Sequence, residues 1–127
     1  MAMQSSQLIQ EANDLVLCDD RVPPLFNDVA PAHAAVAAIS AMAQGLSSFT
    51  SPCPGASWDS DEFKGRVAYI RTAQDHTIPA PVQQMMLDGS GVQWLLRDID
   101  SGHNAQISRP EELVGVVVGL AEVFEGL

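Results

Sequence analysis

Basic residues are scarce in this chain. Six lysines and arginines stand against sixteen aspartates and glutamates, for a formal net charge of −10 over 127 residues. The six (Arg21, Lys64, Arg66, Arg71, Arg97 and Arg109) are scattered and form no patch. Such a balance sets nucleic acid and anionic membrane surfaces aside as partners. Long apolar runs are also missing. The longest, residues 113–124, carries Glu122 and falls short of the ~20 residues that cross a bilayer. The opening residues, MAMQSSQLIQEAND, lack the basic-then-apolar order of a secretory signal. A cytoplasmic protein is therefore expected. Cysteine is limited to Cys18 and Cys53, far apart and without metal-site spacing. Both are expected to be free thiols acting as small buried hydrophobes. The three histidines, His33, His76 and His103, show no H-x-x-x-H spacing. No metal and no cofactor is expected.

Apolar residues make up 46% of the chain and charged residues 17%. That is richer in apolar and poorer in charged residues than an ordinary soluble domain. Either the core is deeply buried, or apolar surface is covered by a partner chain. The length predicts one domain, residues 1–127.

The two halves differ in texture. In the first, residues 4–13 are predicted as a short helix, and residues 15–18 as a brief apolar run closed by Asp19 and Asp20. Residues 21–30 read as a loop, because Pro23 and Pro24 forbid regular pairing. An alanine-rich helix is predicted over residues 31–44, with Pro31 in its first turn, Asp28 as a capping candidate and Gly45 at its end. A further helical turn over 46–51 and an irregular stretch over 51–60 follow.

The second half alternates. Strands are predicted over residues 67–72 and 92–97, with a helix over 79–87 between them and a break at 89–91. A final helix starts at Pro110, with Glu111 and Glu112 at its positive end. Its residues Leu113, Val114, Val116, Val117, Val118, Leu120, Val123 and Phe124 leave almost no polar face, which predicts a helix sandwiched between layers. Strand, helix, strand, helix predicts a parallel pair with a right-handed crossover. Parallel sheets are seldom so narrow, so a second copy of the chain is expected to complete this one, as a homodimer. There is no internal repeat.

Chemistry concentrates in RVAYIRTAQDHTIP and VQWLLRDIDSGHNAQISRPEEL. Asp75 follows the first strand-like run and His103 the second. An acid and a histidine at the ends of neighbouring strands come within hydrogen-bond reach, which is the base-and-orienter part of a nucleophilic triad. His103 would act as general base, and Asp75 would fix its tautomer and stabilise the imidazolium. Asp98 and Asp100 flank the same loop and are alternative orienters. His33 and His76 read as ordinary polar positions. Cys18, Ser51, Cys53 and Ser57 have no base near them in sequence and make poor nucleophiles.

These stretches resemble the α/β-hydrolase superfamily. Residues 67–75 with Thr77-Ile78-Pro79 are similar to its penultimate strand and acid loop, above all in the plant-type esterase and hydroxynitrile-lyase branch. Residues 92–103, with Ser108-Arg109-Pro110-Glu111-Glu112-Leu113, resemble its last strand, histidine loop and final helix. Upstream, PLFNDV at 24–29 and LSSFTSP at 46–52 resemble the lid of bacterial and fungal members. The resemblance implies an α/β fold: a truncated α/β-hydrolase-like fold with a small parallel sheet and a helical lid. Residues 1–63 would be the lid-like, mostly helical segment and residues 64–127 the strand-helix-strand-helix segment. Phe26, Phe49, Trp58, Met85, Met86 and Trp94 are the large apolar residues near the expected cleft, and most of the six read as core; the lid position implies Phe26, Phe49 and Trp58 as contacts for a small apolar substrate. The family's Gly-x-Ser-x-Gly turn and oxyanion loop have no counterpart here. Ester hydrolysis through an acyl-enzyme is therefore not implied. The expected function is non-hydrolytic acid–base catalysis (isomerisation, elimination or cyclisation) through His103 and Asp75. The alternative is a non-catalytic module binding a ligand or partner, or half of a split α/β-hydrolase.

Overall fold

The structure, a computed structural model, describes residues 8–11, 15–18 and 21–126, with side-chain surroundings from residue 21 onward. Two strands open it, β1 (Leu8–Glu11) and β2 (Leu15–Cys18), antiparallel with Leu8 opposite Cys18. Part of the stretch expected as a helix over 4–13 is thus a strand, and the rest lies outside the described residues. A four-residue strand has only two side chains per face. Its pairing with β2, rather than local periodicity, decides its state.

Next comes a single helical turn, α1 (Val22–Leu25), where a loop was expected. Pro23 and Pro24 occupy its first turn, where backbone N–H groups need no partner inside the helix. Helix α2 (Pro31–Ser40) begins at Pro31 as expected. It stops before Gly45, which instead joins Gln44 in the short strand β3 (Gln44–Gly45) beside β2. Asp28 does not cap α2: the N-cap is Ala30, without a side-chain bond. Phe26, Val29 and Ala34 form a small buried cluster that fastens α2 to the turn before it. Helical turn α3 (Ser47–Thr50) and two 3₁₀ turns, Ser57–Asp59 and Asp61–Phe63, lead to the second half.

There, β4 (Ala68–Thr72), α4 (Ala80–Gly89), β5 (Leu95–Ile99), α5 (Ala105–Ser108) and α6 (Pro110–Glu125) follow in order. Strands β4 and β5 are parallel, with Ala68 opposite Leu95 and Thr72 opposite Ile99. The second strand starts three residues later and ends two residues later than the 92–97 expected for it. Asp98 sits within it because Arg71, its cross-strand neighbour, donates two hydrogen bonds to its carboxylate, at 2.6 and 2.8 Å. Helix α6 is not sandwiched. Leu113 and Val116 are half-buried and Leu120 is buried, at helical spacing. Val114, Val117 and Val118 point outward and are at least half exposed. Cys53, expected to be buried, is an exposed free thiol. No helix among the described residues is long and apolar enough to cross a membrane.

Candidate active site

Because β4 and β5 run in the same direction, their C-terminal ends lie side by side. The ladder continues past both strands: the Ala73 N–H donates to the Ile99 carbonyl and the Gln74 N–H to the Ser101 carbonyl, at 3.0 and 2.9 Å. The two loops that leave these ends carry Asp75 and His103. His103 Nδ1 lies 3.0 Å from Asp75 Oδ2 and 3.2 Å from Oδ1. Asp75 is buried, and the His103 side chain is 30% exposed.

Asp75 is saturated with donors. Oδ1 accepts the backbone N–H groups of Thr77 and Ile78, at 2.8 and 2.9 Å. Oδ2 accepts the Thr72 hydroxyl at 2.9 Å. Burial pushes the Asp75 carboxyl up, but the hydrogen bonds from Ile78, His103, Thr72 and Thr77 together outweigh it and hold the group below its ordinary 3.8. Asp75 is therefore an anion at neutral pH and only accepts. Nδ1 of His103 must then carry the hydrogen, which leaves the lone pair of the neutral ring on Nε2. Among the described residues, Nε2 makes no hydrogen bond.

Behind Asp75 stands Gln83, which is almost wholly buried. Its Nε2 donates to the Thr72 carbonyl, the Thr72 hydroxyl and the Ile78 carbonyl, and its Oε1 accepts the Thr72 N–H. One amide thus ties the end of β4 to the acid loop and orients the Thr72 hydroxyl toward Asp75. Sequence reasoning missed both Thr72 and Gln83. The only signal available was a glutamine in the first turns of a helix, eight residues after the acid.

The other acids fall elsewhere. Asp98 is held by Arg71, and Asp100 accepts from Gln74 Nε2 at 3.0 Å, so neither touches His103. His33 and His76 are exposed. Phe26, Phe49 and Trp58 are not brought together around His103. Phe26 belongs to the buried cluster with Val29 and Ala34, and Phe49 is 53% exposed. Trp58 packs on Trp94, ring centres 5.1 Å apart. A hollow of about 400 Å³, lined by Leu87, Gly91, Trp94 and Leu96 among others, sits at the opposite end of β5. Among the described residues, no three His, Cys, Asp or Glu side chains are grouped to hold a metal.

The fold has a counterpart in solved structures. Polyneuridine aldehyde esterase, an α/β-hydrolase, superposes with a TM-score of 0.72 at 15% sequence identity, over 94% of this chain and 49% of that one. The fold is that of a partial α/β-hydrolase. This chain spans about half the length of that solved partial match. No protein-family model and no curated protein matches it. At 15% identity the likeness speaks for the α/β-hydrolase-like fold and not for the reaction.

Proposed function

We propose that the chain is an acid–base enzyme in which His103 moves a proton on a small apolar metabolite, in an isomerisation, elimination or cyclisation. Asp75 holds the imidazole and stabilises its charged form. The observation that carries this reading is the saturated Asp75 carboxylate against Nδ1, which leaves the Nε2 lone pair without a hydrogen bond among the described residues. A base needs that arrangement whether or not a nucleophile stands in front of it. Proton abstraction beside a carbonyl is a step that many isomerisations, eliminations and cyclisations share. The test follows deuterium uptake from D₂O into a panel of small apolar ketones by NMR, for the native chain and for His103→Gln. Uptake that depends on His103 supports the reading, and equal uptake by both proteins sinks it. Covalent labelling by a fluorophosphonate would point instead to ester hydrolysis through a nucleophile.

A second reading concerns assembly. Val114, Val117 and Val118 on α6, with Met85 and Met86 on α4, are large apolar side chains left at the surface beside a two-stranded parallel sheet. Exposed apolar faces of this kind favour cover by another polypeptide. A second copy of this chain is the proposed partner. Sedimentation of the isolated chain at micromolar concentration distinguishes a dimer from a monomer.

A further inference from the structure

Residues 24–28, which run from the end of α1 toward α2, touch both catalytic loops. The Pro24 carbonyl accepts the Thr77 hydroxyl at 2.7 Å, and Asn27 Nδ2 donates to the Gln74 carbonyl at 3.0 Å. Both partners flank Asp75. The Leu25 carbonyl accepts Asn104 Nδ2 at 2.7 Å, and Asp28 Oδ2 accepts the Gly102 N–H at 2.7 Å. Both of these flank His103. One five-residue segment therefore bonds to the residues next to the acid and next to the base, across sequence separations of 47 to 79 residues.

Position 102 shows how closely the segment sits. A Cβ built on Gly102 would lie 2.5 Å from Asn27 Oδ1 and 2.5 Å from Asp28 Oδ1. Neither oxygen is at a loose end. Asn27 is tied by its Nδ2 to Gln74, and Asp28 by its second oxygen to Gly102 itself. Both close oxygens are buried and have no hydrogen-bond partner among the described residues. Leaving a buried acceptor unpaired has a cost. Here it accompanies a close approach that only glycine permits.

We infer that Asn27 and Asp28 are positioning residues for the His103–Asp75 pair. Asn27 holds the acid loop, Asp28 holds the histidine loop, and their adjacency in the chain sets the distance between the two. The inference rests on the acid–base reading for its functional meaning, but its geometry is measured without substrate. Neither residue touches the imidazole, so each acts through the loop it holds.

The test is NMR of the full chain in a His33→Gln, His76→Gln background, which leaves His103 as its one histidine. On that protein, a through-hydrogen-bond scalar coupling between the Gly102 nitrogen and the Asp28 carboxyl carbon is expected. Its absence overturns the proposal before any further variant is made. In Asp28→Ala the downfield Nδ1–H signal of His103 is expected to disappear, and the ring to become a mixture of tautomers. Asp28→Asn keeps an acceptor at the same place and is expected to restore the signal. A merely structural role would disturb amides throughout the fold instead of the imidazole tautomer alone. Unchanged imidazole signals in Asp28→Ala overturn the clamp. Should Asp28→Ala fail to fold, Asp28→Asn and the coupling decide the matter. Deuterium exchange by the unsubstituted chain is read separately. A chain that exchanges no substrate while showing the coupling and the tautomer shift counts against the acid–base reading and not against the clamp.

Discussion

The carboxyl ends of the β4–β5 pair and the helices that flank it are built to different standards. At the carboxyl ends, polar groups are densely satisfied: the acid loop, the histidine loop, residues 24–28 and the Gln83 amide form one connected set of hydrogen bonds. Around the helices that flank the strands, apolar side chains stand in the open, with Met85 66% and Val114 61% exposed. A small domain has few resources for rigidity, and the fold concentrates them where two loops must meet. Satisfied buried polar networks specify one arrangement, whereas exposed valines specify nothing until something covers them.

That contrast can be broken at several points. The largest effect is expected at the pair itself. His103→Gln should lower deuterium exchange on a responsive substrate by about 10²–10⁴-fold, the range over which a positioned base acts. A much smaller loss would mean that another group abstracts the proton. Gln83→Leu comes next. It is close in volume but strands the Thr72 N–H and the Ile78 carbonyl, and should cost about 3 kcal/mol of stability in urea unfolding. Stability equal to the native protein would show that water replaces the amide there.

Acid should act on the same network through Asp75. Its folded pKa is depressed, so its ionised form stabilises the fold above the ordinary 3.8, and that contribution is lost as pH falls through the lower folded value. The native chain should lose stability below about pH 4 more steeply than Asp75→Asn, which has no such proton to take up. Parallel acid-denaturation curves would deny that the carboxylate is specially held. Smallest is the effect on the open side. Val114→Ser and Val118→Ser should change monomer stability by no more than about 0.5 kcal/mol, as surface changes do. They should nonetheless weaken self-association, read as a lower sedimentation coefficient at equal concentration.

Much of the carboxyl-end geometry was legible in the sequence because it follows from local pattern. Strand-like runs followed by Asp75 and His103 predict two parallel strands and a contact between those two side chains. Three things were not legible. Leu8–Glu11 is too short for periodicity to separate strand from helix, and its state depends on pairing with β2. The expected second strand stops at Arg97, whereas Arg71 across the ladder makes an acid acceptable at position 98. Asp28 looked like a cap for α2 because it lies just before Pro31. Its actual partner, Gly102, is 74 residues away, beyond any local rule. The packing of the aromatic trio was not legible for a related reason. Lid position by analogy places Phe26, Phe49 and Trp58 over a cleft, but each packs or projects according to its immediate neighbours.

The stretch from residue 51 to residue 65 is exposed throughout and separates the residues 24–28 from both loops they hold. A protease cut there would leave the clamp on one fragment and the imidazole with its carboxylate on the other. The native His103 tautomer would then become a signal of reassembly, rising with fragment concentration and silent in either piece alone.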